Sequence, residues 1–251
     1  MSDNCTAEFH PELHIIPVLV DNYCYVYHNG DVALAVDPSE AAPVLHFLEK
    51  NALRLERMLV THGHSDHTGG CREIERKCGV SVTDMRDGEY VAFANSKILA
   101  IHSPGHTADH YCFFLQPPTG APILFSGDTL FGGGCGRVSG GQYTQMWNSL
   151  LKLRGLPPET LVCFGHEYTI DNLEFALSIE PSNRHVCTRL KHDKARMVEC
   201  GMTAPSKLSN EQLTNPFLRA DDPVLQACLD LSGRAPLQVF SYLRERKNHW
   251  G

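Results

Sequence analysis

Residues 61–70, THGHSDHTGG, set three histidines and one aspartate within six positions, directly after the apolar run Met58-Leu59-Val60. No other stretch restricts the fold as much, because it asks for a buried strand that ends where imidazoles can be collected. If the chain leaves that strand extended, His62 and His64, two residues apart, point to the same side and can share one metal ion. Asp66 and His67 follow where the chain turns towards the glycine pair, so they can be aimed at a second point nearby. H-x-H-x-D-H therefore supplies four good donors for a borderline cation such as zinc. A polar loop that is merely rich in histidine is the weaker reading.

Four donors cannot fill two sites, so other strand ends should contribute. His106, in SPGHT, follows the apolar run that ends at Ile101; Asp128, in FSGDT, follows Ile123-Leu124-Phe125; His166, in FGHEY, follows residues 161–164. Each alone would read as a turn-capping residue after a strand. Jointly they complete a pattern. A carboxylate has two oxygens, so Asp128 can bridge two cations, leaving His62, His64 and His106 on one and Asp66, His67 and His166 on the other.

The rest of the chain is consistent with strands that deliver such residues. Up to about residue 170, short runs rich in Val, Ile, Tyr and Phe recur at 23–27, 32–36, 58–60, 98–103, 111–115, 123–125 and 161–164, separated by Gly, Pro and Asp turns. Helix-patterned segments lie among them at 41–50, 71–77 and 144–153, which makes this part a mixed α/β sheet. After residue 170 the strand pattern stops. Segments near 171–179, 185–200, 223–231 and 236–247 carry helix-spaced apolar positions. We expect a catalytic domain over 1–170 and a small helical domain over 171–251. The 251 residues, 42% of them hydrophobic, suffice for both.

Charge and cysteines narrow the setting. A net charge of -7 argues against a nucleic-acid partner, and no apolar stretch approaches the roughly 20 residues that span a bilayer. The ten cysteines, from Cys5 to Cys228, form no C-x-x-C pair, and the opening MSDNCTAEFH has neither a secretion core nor an arginine-rich transit face. They read as reduced thiols of a cytoplasmic protein. The glycosylation-like triplet Asn4-Cys5-Thr6 should then be unused.

The sequence resembles the metallo-β-lactamase superfamily and, within it, the hydroxyacylglutathione hydrolases, or glyoxalase II family. The resemblance is carried by VDNYCYVY at 20–27, AVDP at 35–38, THGHSDHTGG, SPGHT, SGDTLFGGGCGR, FGHEYTIDNLEFA, NPFLR at 215–219 and RERK at 244–247. It implies an αββα sandwich with metals at one sheet edge, followed by a helical domain that helps hold the thiol part of a substrate. It implies the same allocation of seven ligands to two divalent metals, zinc first, with iron or manganese as alternatives.

The implied reaction is hydrolysis of S-D-lactoylglutathione by a metal-bridged hydroxide, with Asp66 and Asp128 as the catalytic carboxylates, a step of methylglyoxal detoxification. Glutathione carries two carboxylates, and the resemblance assigns their capture to Arg244 and Lys247, with Arg137 and Tyr168 as further contacts. By spacing alone, Arg244 and Lys247 would be cations complementing a helix end. A monomer is expected.

Two positions depart from the family pattern. Ser139 stands where an aromatic residue would touch the thiol ligand, which leaves the preferred thiol open. Asp109 replaces a common glycine, and His110 beside it reads as a structural hydrogen-bonding residue rather than an eighth ligand. Cys135 reads as a small apolar filler. Other readings are a persulfide dioxygenase, which would use one iron on two histidines and an aspartate and would not need the second ligand set, and a non-catalytic metal-binding member. A secreted β-lactamase and an RNA-processing nuclease lack, respectively, a signal peptide and a basic exosite here.

Overall fold

The computed structural model describes residues 10–250, so the Asn4-Cys5-Thr6 triplet lies outside the described residues. Two sheets face each other. The first has the order β1-β2-β3-β4, from Leu13–Val18, Asn22–Asn29, Val32–Val36 and Arg54–Leu59. Its β3 and β4 run parallel because helix α1, Ala41–Lys50, crosses between them. Alternation along the strands divides the faces: Tyr25, Tyr27, Leu34 and Val36 enter the core between the sheets. Their neighbours Cys24, Val26, Ala33 and Ala35 pack instead with Val44 and Leu48 of α1. Large residues thus fill the inter-sheet space, while small ones let helices lie close on the outside.

Beyond β4 come a single helical turn, α2 at Ser65–Thr68, and α3 at Cys71–Cys78, whose Ile74 joins the outer cluster. The second sheet contains β5 Tyr90–Phe93, β6 Ser96–His102, β7 Tyr111–Gln116, β8 Ile123–Gly127, β11 Leu161–Phe164 and β12 Ser206–Lys207, ordered β12-β11-β8-β7-β6-β5. A small ribbon pairs β9, Leu130–Phe131, with β10, Gly134–Cys135. Helix α4, Tyr143–Arg154, covers the second sheet with Met146, Leu150 and Leu153 fully buried. The result is the expected αββα sandwich. Next come α5 Thr169–Ile179, α6 Arg184–Cys200, α7 Leu208–Thr214, α8 Pro223–Cys228 and α9 Pro236–Asn248.

Several details correct the sequence reading. β12 lies after residue 170, yet it pairs with β11 and joins the larger sheet. Helix α7 follows it directly, where no helix was expected. Cys200 is disulfide-bonded, so the all-reduced expectation fails there, while eight other cysteines are free.

Sheet geometry brings the polar strand ends together. β8 and β11 are parallel, with Phe164 beside Gly127, so the residues just beyond them, Asp128 and His166, emerge side by side. β3 and β4 end at the same edge with Val36 beside Leu59. Gly165 permits this convergence: a Cβ there would lie 2.4 Å from Asp128 Oδ1 and 2.8 Å from the His67 ring.

Candidate metal centre

The two donor sets drawn from the sequence converge. His62 Nε2 lies 2.9 Å from His64 Nδ1, which lies 3.1 Å from His106 Nε2. In the second set His166 Nε2 is 3.4 Å from Asp66 Oδ2, and His67 Nε2 is 3.8 Å from the same oxygen. Asp128 stands between them, with Oδ1 3.4 Å from His67 Nε2 and Oδ2 3.4 Å from both His106 Nε2 and His166 Nε2. A tetrahedral ion with bonds of about 2.1 Å separates its ligands by about 3.4 Å, so these spacings fit two adjacent cations.

Two further observations support the fit. Asp128 Oδ1 and His67 Nε2 are both buried and have no hydrogen-bond partner. Such orphaned groups are rare without an ion or water to satisfy them. The charges agree: burial would raise the Asp128 carboxyl, but His166 and His67 hold it well below the usual carboxylate range. Burial would lower His67, yet Asp37 and Asp128 outweigh it and raise the imidazole to about 10. A position that attracts a proton so strongly also attracts a metal cation. His62, lowered to about 4 mainly by burial, is a neutral imidazole at physiological pH, the form that ligates.

Four of the five rings, those of His62, His67, His106 and His166, are fixed from behind, and these partners were missed in the sequence. Asp37 Oδ2 sits 2.9 Å from His67 Nδ1, and its carboxylate also accepts from the N–H and the hydroxyl of Thr61, both at 2.7 Å. Thr61 Oγ1 in turn lies 3.1 Å from His62 Nδ1. Asp21 Oδ1 holds His166 Nδ1 at 2.9 Å, and the Arg137 carbonyl meets His106 Nδ1 at 3.1 Å. Engaging the distal nitrogen selects the tautomer that turns a lone pair to the metal. Asn22 donates to Asp66 Oδ2 at 3.2 Å and to the Asp66 carbonyl at 3.1 Å, and it keeps that carboxyl ionised against the opposing effect of burial. Asp37 had a legible signal, a carboxylate directly after an apolar strand in AVDP. Asp21 and Asn22 had none beyond their place at the start of β2.

His110 is fully buried with both nitrogens engaged: Nε2 accepts from the Asp128 N–H at 3.1 Å, and Nδ1 meets Ser103 and Thr129 hydroxyls at 3.0 and 3.1 Å. It is a positioning group for the Asp128 backbone, with no nitrogen left for a metal. Asp109 beside it is exposed.

A pocket of about 390 Å³ runs from His106 and Asp128 past Arg137 and Tyr168 to Arg244 and Lys247 on α9. The structure changes the picture of the basic pair. Arg244 is buried, donates to the Cys135 carbonyl at 2.9 Å and lies over the Phe217 ring at 5.0 Å, and its Nε has no partner. Lys247 is ion-paired with Asp171. They are not the solvated pair that helix-end spacing alone would give. Tyr168 stacks on His166 with centroids 5.0 Å apart, and burial with nearby carboxylates pushes its phenol up to about 12. Ser139 is exposed and its hydroxyl donates to the His106 carbonyl at 2.7 Å, bracing the loop that carries this histidine. Cys135 is buried against Arg244, a packed thiol at the pocket wall.

The fold and this cluster define a metal-dependent protein of the metallo-β-lactamase superfamily, whose family model matches residues 18–83 and 80–166. The chain belongs to the hydroxyacylglutathione hydrolase family: the family model for the C-terminus of that enzyme matches residues 167–250. Curated hydroxyacylglutathione hydrolases from Methylococcus capsulatus and Synechocystis are 40% and 38% identical, covering 94% and 95% of this chain and 98% and 100% of theirs. Among solved structures, ETHE1 from Myxococcus xanthus shares the fold with a TM-score of 0.63 at 21% identity, covering 94% of this chain and 91% of its own. The BLEG-1 B3 metallo-β-lactamase does so at 0.61 and 20%, covering 82% and 99%.

Proposed function

We propose that this chain hydrolyses S-2-hydroxyacylglutathione thioesters, S-D-lactoylglutathione foremost, to the hydroxy acid and glutathione. The observation that carries the reading is the continuity of one pocket from the metal-competent cluster to Arg244 and Lys247, a reactive end and an anion-binding end in one cavity. The near full-length relatives support the substrate class.

His62, His64 and His106 would hold one divalent cation, Asp66, His67 and His166 the other, and Asp128 both. Zinc suits this nitrogen and oxygen donor set, and iron or manganese also fit it. Bound cations supply a hydroxide nucleophile near neutral pH and polarise the carbonyl under attack. The protein's part is positioning. Asn22 fixes the free direction of the Asp66 carboxylate, so Asp66 can orient the nucleophile by hydrogen bonding. Arg137, Tyr168, Arg244 and Lys247 align the thiol portion. The leaving thiol has a pKa near 8.5, so it departs as a thiolate without a strong general acid. In this account residues 1–170 form the catalytic domain and 171–251 the substrate-binding helical domain.

We assign a monomer acting in the cytoplasm. No described helix is long and apolar enough to cross a membrane, and eight described cysteines are free, Cys200 being the disulfide-bonded exception. Persulfide dioxygenation and a non-catalytic role are disfavoured, since all seven donors are present and the C-terminal region matches the hydrolase family. The direct test is loss of thioester absorbance from S-D-lactoylglutathione with zinc-loaded protein. Turnover of about 1 to 1,000 per second is expected. A rate at background with full metal loading would contradict the assignment.

A further inference from the structure

Lys247 already has a carboxylate. Its ammonium pairs with Asp171 Oδ2 and approaches the Asp171 carbonyl at 3.4 Å, while the other carboxylate oxygen accepts from Trp250 Nε1 at 3.1 Å. All three residues line the pocket that leads to the metal cluster. Lys247 is 9% exposed at its side chain and lies 5.3 Å over Phe175, whereas Asp171 is 60% exposed. The cation is therefore packed in place and its partner is open to approach. Three residues earlier on α9, buried Arg244 offers an Nε with no acceptor. A carboxylate entering this end would gain one unsatisfied donor, share a cation that is already neutralised, and meet the like charge of Asp171.

We propose that Asp171 is a specificity-determining residue, an internal carboxylate that occupies Lys247 and must yield or share it when the anionic end of the thiol ligand binds. Binding at Lys247 is then an exchange of carboxylates rather than the formation of a new ion pair. The exchange weakens affinity for the ligand and its thiol product, and it penalises ligands lacking a carboxylate that can replace Asp171. The competing reading is structural: Asp171 sits in the first turn of α5, where a carboxylate complements the helix dipole, and it ties α9 to α5. The two differ in sign. Removing an internal competitor tightens ligand binding, and removing a structural tie loosens it.

The inference rests on the glutathione reading of the pocket, so binding and turnover are measured separately. Glutathione is titrated calorimetrically into metal-loaded wild type, Asp171→Asn, Lys247→Ala and the double variant, with Asp171→Ser as a second neutral replacement should the asparagine variant fold poorly. Asp171→Asn is expected to bind about five-fold tighter, the scale for freeing a cation from one partly exposed ion pair. Lys247→Ala should bind more weakly, and the double variant should match Lys247→Ala. Equal or weaker binding by folded Asp171→Asn or Asp171→Ser, additive effects in the double variant, or no glutathione binding by any of the proteins would overturn the proposal. Thioester turnover by the wild type is assayed in parallel. Its absence would refute the hydrolase assignment while the affinity comparison still decides the role of Asp171.

Discussion

Asp128→Ala is expected to reduce kcat by about a thousand-fold or more, because it removes the one carboxylate among the described residues that faces both donor sets. The geometry makes this loss unlike that of any single histidine. Oδ1 turns to His67, and Oδ2 turns to His106 and His166. Either imidazole set without Asp128 retains three donors, enough to keep one ion weakly, but nothing then fixes the distance between two ions. The substitution should leave the fold intact, since the Asp128 N–H that His110 accepts is a backbone group. The readouts are single-turnover rate and metal content on the same preparation. Normal turnover by Asp128→Ala would refute the bridging role.

Glu211→Ala should lower stability by about 3–5 kcal/mol, the scale for stripping one partner from a buried charge. Glu211 is fully buried. Its Oε1 accepts from Arg189 at 2.5 Å and from the Ser206 hydroxyl, while Oε2 accepts from the Gly133 N–H at 2.8 Å and Asn215 at 3.3 Å. One carboxylate thus joins α6, β12, α7 and the turn between β9 and β10, next to the pocket wall. Arg189, itself buried, would keep Asp193 and Thr214 but lose its closest anion. For a chain of this length the cost corresponds to a fall in Tm of about 10 °C. Thermal unfolding of the metal-loaded protein measures it, and a fall below about 2 °C would show that the network does not hold this region together.

The metal centre was more legible in the sequence than the sheet that carries it. His62, His64, Asp66 and His67 are crowded together, and His106, Asp128 and His166 each follow an apolar run, so strand-end logic reaches all seven. The groups behind them were obscure because they act through contacts between residues far apart in sequence, as Asp21 does with His166. Strand β1 escaped notice because His14 and Pro17 blur its pattern, which an edge strand tolerates. Strand β12 has two residues and is specified by its partner β11 rather than by its own pattern. The R-x-x-K spacing on α9 correctly placed both cations on one helix. It could not reveal that Arg244 is buried and Lys247 already paired, because Cys135 and Asp171 arrive from elsewhere in the chain.

The most direct measurement is the number of metal equivalents bound by folded, zinc-reconstituted protein, by elemental analysis after removal of loose metal. Seven donors arranged as two sets around a shared carboxylate predict two equivalents per chain. One equivalent or fewer in fully folded wild-type protein would contradict the paired centre and the chemistry built on it.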